Sequence, residues 1–524
     1  MRSAVILLAL GLTSGCLPTS EQVDLQAPWQ DGELTRYDVV TDDGRLVDAA
    51  AWAIHREGEG WALRTREVSG QVSEAVLDAR LRPLSGTSST ASARTELRYG
   101  EETITISKHP KKGDPSTETL PRPVGALDNA QLLQTLRALP FAEGHVAIHR
   151  VVGGAGSMLP ATVTVVDRAT LDGPAGPMET WHVVLDLAWM RHEAWYAAAP
   201  PHLLVRYRNP LAKETYQLRS WRLGLGAEDV GPVPDPAVPE PGQVPVAWGL
   251  VAMMAVIQVP VMGLVPILLG FWLARRFRLG WKLWAAGAAA FVASQVVHLP
   301  LNWAVGLMGP PRGLGLLSLP GMAVAAGLSA GLCEEIARYL VLRFGLQRLR
   351  RSKANPQGSS PGFWQEALQF GAGHGGIEAM IMALLTLVSL SVMLVLHWVP
   401  GILRLEPDTL RQTLEAADGF WHTPIPLTLA GAVERLSALT AHVAMTVLVM
   451  RTVATRNLAW LGAAILAHAA LDATAVFFAM RFGAWPTEAV VAVYALGFLA
   501  IILGLRKAHW PAPALSPTPA APSR

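Results

Sequence analysis

Residues 317–342 read LSLPGMAVAAGLSAGLCEEIARYLVL, an apolar stretch that nevertheless contains Glu334, Glu335 and Arg338. About 20 helical residues cross a hydrocarbon core about 30 Å thick, so this stretch is long enough to span a membrane. Charged side chains at that depth are costly unless they are paired, and they mark functional sites. The stretch therefore predicts a transmembrane helix that carries part of such a site.

Two further polar clusters lie within apolar stretches closer to the C-terminus. His374 and Glu378 fall in FGAGHGGIE at residues 370–378, and His468 and Asp472 fall in HAALD. In each cluster the two residues are four positions apart, so their side chains share one face of a helix. Glu, His and Asp are residue types that bind zinc or activate water. The clusters predict an active site built between transmembrane helices.

The C-terminal half contains seven apolar segments of membrane-spanning length. They cover residues 246–274, 283–305, 317–342, 367–398, 427–450, 458–480 and 486–505. Basic residues concentrate in the loops after the first, third, fifth and seventh segments, and such loops face the cytoplasm. This pattern predicts a multi-pass protein of the bacterial inner membrane, with an exported N-terminal domain and a cytoplasmic C-terminus.

Four of the ionisable side chains are predicted to lie at one depth. At 1.5 Å per helical residue, Glu334, His374, His442 and His468 lie about 11–15 Å from the cytoplasmic ends of their helices. A proton-coupled transporter would stagger such groups across the bilayer, so the shared depth favours a catalytic site. A non-catalytic, membrane-anchored scaffold is the other alternative.

Other polar residues in the spans have structural interpretations. Arg338 lies within reach of the glutamates on its own helix, and Glu434 and Arg435 are adjacent, so these residues are expected to form structural ion pairs. His298 and Asn302 are predicted to form a polar kink near the membrane interface.

The chain begins MRSAVILLALGLTSGC, with one basic residue, a short apolar run and then small residues. This order is typical of a signal peptide, which we expect at residues 1–16. The final LTSGC resembles a bacterial lipobox, which implies lipidation of Cys16. Because the other cysteine, Cys333, lies in a predicted span, the exported domain is expected to fold without an internal disulfide.

Residues 17–230 contain short segments in which apolar and polar residues alternate, with turn-rich breaks between them. Alternation with a period of two is the pattern of half-buried antiparallel strands. We therefore expect a β-rich exported domain, folded as an open barrel or a curved sheet. One helix is predicted over residues 127–139, before Pro140.

The predicted chain is thus multi-domain. A proline-rich linker at residues 231–245 connects the β-rich domain to an all-α polytopic bundle of about seven helices at residues 246–507. Residues 508–524 are expected to form a disordered cytoplasmic tail.

Composition argues against one class of partner. The chain has 524 residues, and its formal net charge of +2, without an aromatic and basic stripe, gives no support for nucleic-acid binding. The expected partners are the membrane and a membrane-associated peptide or protein substrate.

Three ordered motifs suggest a family. Glu334-Glu335-x-x-Arg338, Phe370-x-x-x-His374 and His468-x-x-x-Asp472 resemble the signature of the CAAX-protease and bacteriocin-processing superfamily of intramembrane proteases. That superfamily usually has one more residue before the arginine. The shorter form, with GHGGIEA and with ERLSALTAH at residues 434–442, is more similar to the YhfC-type intramembrane metalloproteases. The resemblance covers roughly residues 247–505, about half of the chain.

The resemblance implies roles for individual residues. Glu334 or Glu335 would be the general base that activates a water molecule, and His374 and His468 would position that water directly or through a metal. Asp472 would orient His468 or face the oxyanion.

Zinc or another divalent metal is implied only as one of two alternatives. Its ligands would come from His374 and His468 together with Glu334, Glu335 or Glu378, and His442 is a further candidate ligand or transition-state stabiliser. The expected function is an intramembrane endopeptidase of the metallo or glutamate type, acting on peptide bonds of membrane-associated substrates.

Overall fold

The structure is a computed structural model that describes residues 25–90, 92–153, 158–174, 176–210, 212–224, 240–309, 313–345 and 362–510. The predicted signal peptide with Cys16, most of the linker and residues 511–524 lie outside the described residues. The chain divides into two compact units whose main boundary lies between Glu240 and Pro241.

The described part of the first unit contains one open sheet of fifteen strands. The first eight are β1 Glu33–Thr41, β2 Leu46–Glu57, β3 Gly60–Glu67, β4 Val72–Leu77, β5 Pro83–Ser89, β6 Ala93–Tyr99, β7 Thr103–Pro110 and β8 Ser116–Pro121. The others are β9 Ala126–Asp128, β10 Val146–Val152, β11 Met158–Gly173, β12 Gly176–Leu187, β13 Met190–Ala197, β14 Leu204–Asn209 and β15 Glu214–Arg222.

The strand order runs from β8 down to β1 and then from β15 down to β9. Neighbouring strands are antiparallel, except that β9 runs parallel to β10. Inward-facing side chains such as Tyr37, Val183 and Tyr196 form a core that also buries Leu132 and Leu136 of a short helical segment. The predicted β-rich domain is confirmed, and of the two predicted forms, an open barrel or a curved sheet, the strands form a single open sheet.

The helix predicted over residues 127–139 is wrong in extent. Residues 126–128 form β9, the α-helix α1 covers only Leu132–Thr135, and a 3-10 turn follows at Leu136–Ala138. Leu127 instead pairs with Val151 in the ladder to β10. The Asp128 carboxylate accepts a hydrogen bond from the Ala130 N–H at 2.8 Å, which turns the chain at the end of the strand.

Buried polar contacts tie distant parts of the sheet together. The Tyr99 hydroxyl on β6 donates to Asp128 on β9 at 2.8 Å. Burial raises the pKa of Asp128 to about 6. Arg137 forms a buried ion pair with Glu33 of β1, with 2.5 Å between Nη1 and Oε1. These contacts fix the helical segment and β9 against the rest of the unit.

The second unit is helical. Its helices are α2 Trp248–Phe277, which contains a π-helical turn at Met254–Gln258, α3 Trp281–Ala304, α4 Leu319–Leu340, α5 Phe363–Trp398, α6 Pro407–Trp421, α7 Ile425–Thr455, α8 Ala459–Phe482 and α9 Ala484–Arg506. Among the described residues, six helices are long and apolar enough to cross a membrane: α2, α3, α5, α7, α8 and α9.

Helix α4 corresponds to the remaining predicted span. It has 22 residues, but Glu334, Glu335 and Arg338 reduce its apolar character. The predicted bundle of about seven helices agrees with this architecture. Helix α6 was not predicted, because its polar sequence PDTLRQTLEAADGFW has neither the length nor the hydropathy of a span.

Candidate metal centre

Four helices bring the predicted ionisable residues into the interior of the helical unit. Glu334 and Glu335 lie on α4, His374 on α5, His442 on α7 and His468 on α8, and all five are buried. The chain therefore places side chains from well-separated sequence positions within one polar centre.

Glycines on α5 permit this convergence. A Cβ atom at Gly373 would lie 1.9 Å from the Trp284 carbonyl oxygen of α3, and one at Gly375 would lie 2.9 Å from the Cβ of His442. Neither position can hold a larger side chain without moving a neighbour. Small residues thus bring helix backbones close together, as is common between membrane helices.

Glu334, His374 and His442 form a group that could hold a metal ion. The His374 Nε2 lies 3.2 Å from Glu334 Oε2, and the His442 Nδ1 lies 4.0 Å from the same oxygen. One ligand atom from each residue lies within 4.8 Å of the others. One carboxylate with two imidazoles is a known zinc ligand set, so the donor chemistry of these residues fits a divalent metal.

Each imidazole of the group has a second contact. The His442 Nε2 lies 2.6 Å from Glu378 Oε2, the kind of carboxylate contact that orients histidine ligands at metal sites. The His374 ring packs edge-on against Phe291, with 5.4 Å between ring centroids. The ring orientations are therefore fixed by the protein itself.

The Glu378 carboxylate contacts side chains of α7 rather than His374 of its own helix. Although it lies four residues after His374, its carboxylate contacts His442 and accepts a hydrogen bond from Arg435 at 2.6 Å. Glu434 also pairs with Arg435. Arg435 thus links Glu434 of its own helix to Glu378 of α5, and through Glu378 to His442 of the metal-ligand group.

Glu335 contacts a second set of side chains. Its Oε1 accepts a hydrogen bond from Arg338 and lies 2.8 Å from His468 Nδ1. The other nitrogen of His468 lies 3.5 Å from Asp472. Arg338 also approaches His442, with 3.0 Å between Nη2 and Nδ1, so this second cluster is joined to the first.

Of the six candidate metal ligands, Glu334, His374 and His442 form this group, and Glu335 contacts Arg338 and His468 instead. Glu378 and His468 also lie outside the group: Glu378 contacts His442, and the His468 ring centroid lies 5.5 Å from that of His442. The structure leaves the catalytic assignments of Glu334, Glu335, His374, His468 and Asp472 as predictions.

Sequence reasoning missed Gln295 of α3. Its Nε2 donates to Glu334 Oε1 at 3.3 Å, and its Oε1 lies 3.3 Å from His298 Nδ1. Asn302 continues the contacts at 2.9 Å from His298 Nε2. The available signal was the spacing of these three polar residues on one apolar span, at i, i+3 and i+7.

These features define a multi-span membrane protein whose helices enclose a buried cluster of metal-ligand type. Residues 261–495 match the family described as YhfC intramembrane metalloprotease, which confirms the predicted resemblance for this segment. Residues 32–218 match a family described as a protein of unknown function, DUF3108.

One curated relative is described as an uncharacterized membrane protein, YhfC, of Bacillus subtilis (strain 168). It is 28% identical over 218 residues, which is 41% of this chain and 80% of the relative.

Two solved structures are also similar. One is a candidate exported protein with a YmcC-like fold from Bacteroides fragilis NCTC 9343, with 15% identity, 38% of this chain and 100% of that chain covered, and a TM-score of 0.19. The other is a candidate lipoprotein from Parabacteroides distasonis ATCC 8503, with 8% identity, 39% and 100% coverage, and a TM-score of 0.18.

Proposed function

We propose that the helical unit is an intramembrane metalloprotease that hydrolyses peptide bonds of membrane-associated substrates. The observation that carries this proposal is the buried Glu334, His374 and His442 group, contributed by three helices of a multi-span unit. Ionisable residues within membrane helices are kept for function, and this combination matches a zinc ligand set. The family description of residues 261–495 supports the same activity.

In the proposed mechanism Glu334, His374 and His442 would hold a divalent metal, which would lower the pKa of a water molecule and polarise the scissile carbonyl. Glu335 would accept a proton from the attacking water. Its Oε2 is buried and has no hydrogen-bond partner among the described residues, so this oxygen is available to a reacting water.

The residues around Glu335 have supporting roles in this proposal. His468 lies between Glu335 and Asp472 and would hold the Glu335 carboxylate in place, and Glu335 would then pass the proton it took from the water to the leaving amine. Arg338 compensates the charge of Glu335, and Glu378 orients His442.

The proposed localisation rests on the signal-peptide pattern and on the basic residues of the loops. We propose that the protein lies in the bacterial inner membrane, with the β-rich domain on the exported side, and that Cys16 is lipidated after removal of the signal peptide. The cleaved bond would then lie towards the cytoplasmic half of the bilayer.

The test compares purified full-length protein with Glu334→Gln, His374→Ala and His442→Ala variants. His397→Ala is the matched control, because His397 lies near the other end of the helix that carries His374, where its ring packs against the rings of Trp398 and Trp421. We expect bound metal, measured by elemental analysis, to be lost in the three site variants and kept in the control.

The same variants are expressed in cells, and their membrane-peptide profiles are compared. We expect the substrate of the wild-type protein to accumulate uncleaved with the site variants but not with His397→Ala. Identical metal content and peptide profiles in all folded proteins would contradict the proposal and favour a transporter or a scaffold.

A further inference from the structure

We propose that Gln295, His298 and Asn302 form a one-directional hydrogen-bond chain that positions the Glu334 carboxylate for metal binding. The inference rests on the proposed function, and it adds three positioning residues on α3, a helix that contributes none of the three candidate ligands. Their spacing of three and four residues places them on one face of that helix.

The hydrogen-bond chain begins and ends on α4. Ser329 donates its hydroxyl hydrogen to Asn302 Oδ1 at 2.5 Å, and Asn302 Nδ2 lies 2.9 Å from His298 Nε2. The His298 Nδ1 lies 3.3 Å from Gln295 Oε1, and Gln295 Nε2 donates to Glu334 Oε1 at 3.3 Å. Four contacts thus connect two positions of α4, Ser329 and Glu334, through α3.

The chemistry of the groups fixes the direction of donation. An amide nitrogen only donates, so Asn302 Nδ2 requires His298 Nε2 to be an acceptor, and the hydrogen of the neutral ring lies on Nδ1. That hydrogen is then donated to the amide oxygen of Gln295. Every donor therefore points towards Glu334, and such aligned bonds strengthen one another.

A second contact holds the Gln295 amide in this orientation. The buried Ser294 donates its own hydroxyl hydrogen to the Phe291 carbonyl at 2.6 Å, so it can only accept from Gln295 Nε2, which lies 3.3 Å away. Rotating the amide by 180° would place its oxygen against both the Ser294 oxygen and the Glu334 carboxylate. The nitrogen of Gln295 is thus held towards Glu334 from two sides.

The two oxygens of the Glu334 carboxylate have different partners. Oε1 accepts from Gln295, whereas Oε2 faces His374 at 3.2 Å and His442 at 4.0 Å. Carboxylate ligands are commonly held by such outer hydrogen bonds, and loss of an outer partner lowers metal affinity.

The test measures the affinity of the full-length protein for Zn²⁺ by competition with a chromophoric chelator, and the absorption of bound Co²⁺ as a signature of ligand geometry. Gln295→Met, which keeps the side-chain length but cannot donate, is expected to weaken Zn²⁺ binding by about 10–100-fold. Gln369→Met is the control, because Gln369 is a buried glutamine of α5 without a hydrogen-bond partner among the described residues. Its affinity should equal that of the wild type.

Two His298 variants separate positioning from packing. His298→Leu should weaken Zn²⁺ binding less than Gln295→Met does. His298→Asn should restore it, because the asparagine Nδ2 takes the place of the donating Nδ1. In the Gln295→Met background, His298→Leu should not weaken Zn²⁺ binding further, since the hydrogen-bond chain is already interrupted at Gln295.

Three results would count against the inference. Folded Gln295→Met protein with wild-type affinity and Co²⁺ spectrum would refute it, as would an undiminished His298→Leu effect in the Gln295→Met background, or failure of His298→Asn to restore binding. Circular dichroism and size-exclusion profiles establish that each variant is folded. A wild-type protein that binds neither metal contradicts the proposed function itself, which is a distinct outcome.

Discussion

At the scale of the residue, two adjacent glutamates have different surroundings. Consecutive helical residues point about 100° apart, so Glu334 and Glu335 cannot face the same partners. Glu334 faces His374 at 3.2 Å, and Glu335 faces Arg338 and His468. Glu334 is thus suited to bind a cation, and Glu335 is suited to balance the buried positive charge of Arg338.

Alanine at each of these positions should therefore have a different effect. Glu334→Ala is expected to abolish metal binding with little loss of thermal stability. Glu335→Ala leaves the guanidinium of Arg338, which is 0% exposed, without its carboxylate, and should lower the free energy of unfolding by about 3–5 kcal/mol. Thermal unfolding in detergent and metal analysis measure the two effects, and equal unfolding temperatures for the two variants would argue against this division.

At the scale of the element, the position of α5 against α3 depends on a glycine at the point where the two helices meet. Gly373 lies so close to α3 that an added Cβ would meet backbone, the Trp284 carbonyl oxygen, at 1.9 Å. Backbone cannot move aside as a flexible side chain can. Because His374 follows directly, displacement of α5 would also move a candidate ligand.

Gly373→Ala is accordingly expected to destabilise the helical unit by about 1–3 kcal/mol and to weaken metal binding. Gly462→Ala on α8 is the matched control, since an added Cβ there has no neighbour within 4 Å. Alanine favours a helix over glycine by up to about 1 kcal/mol, so the control should be neutral or slightly stabilised. If both variants unfold at the same temperature, close packing at Gly373 does not position α5.

At the scale of the whole molecule, the chain joins two units built for different surroundings. The first is an open β-sheet with its own buried core, and the second contains six helices that could cross a membrane. The distribution of Lys and Arg between the connecting loops predicts an exported first unit and a cytoplasmic end for α9.

Cysteine labelling tests this orientation. In a Cys333→Ser background, a membrane-impermeant maleimide should label Thr117→Cys on β8 in intact spheroplasts, whereas it should label Lys507→Cys only after permeabilisation. The background without an added cysteine is the control for Cys16. Labelling of Lys507→Cys in intact spheroplasts would contradict the predicted topology.

Much of the fold could be predicted from sequence because its signals are local. Residues 180–187 are one of the alternating segments within residues 17–230, and they lie within β12. The predicted span at 283–305 nearly coincides with α3 at Trp281–Ala304. The helix expected at 127–139 failed for the opposite reason. The strand at Ala126–Asp128 exists only because a distant strand, β10, pairs with it.

The candidate site, too, could be predicted from the sequence only in part. The sequence by itself determined the ionisable residue types and the helices that carry them, and it predicts their common depth, because apolar length and helical rise are properties of each segment alone. Only the tertiary structure decided that His442 joins Glu334 and His374, that Glu378 contacts His442, and that Gln295 contacts Glu334. Those contacts depend on the rotation and separation of neighbouring helices, which packing at positions such as Gly373 sets and no single helix encodes.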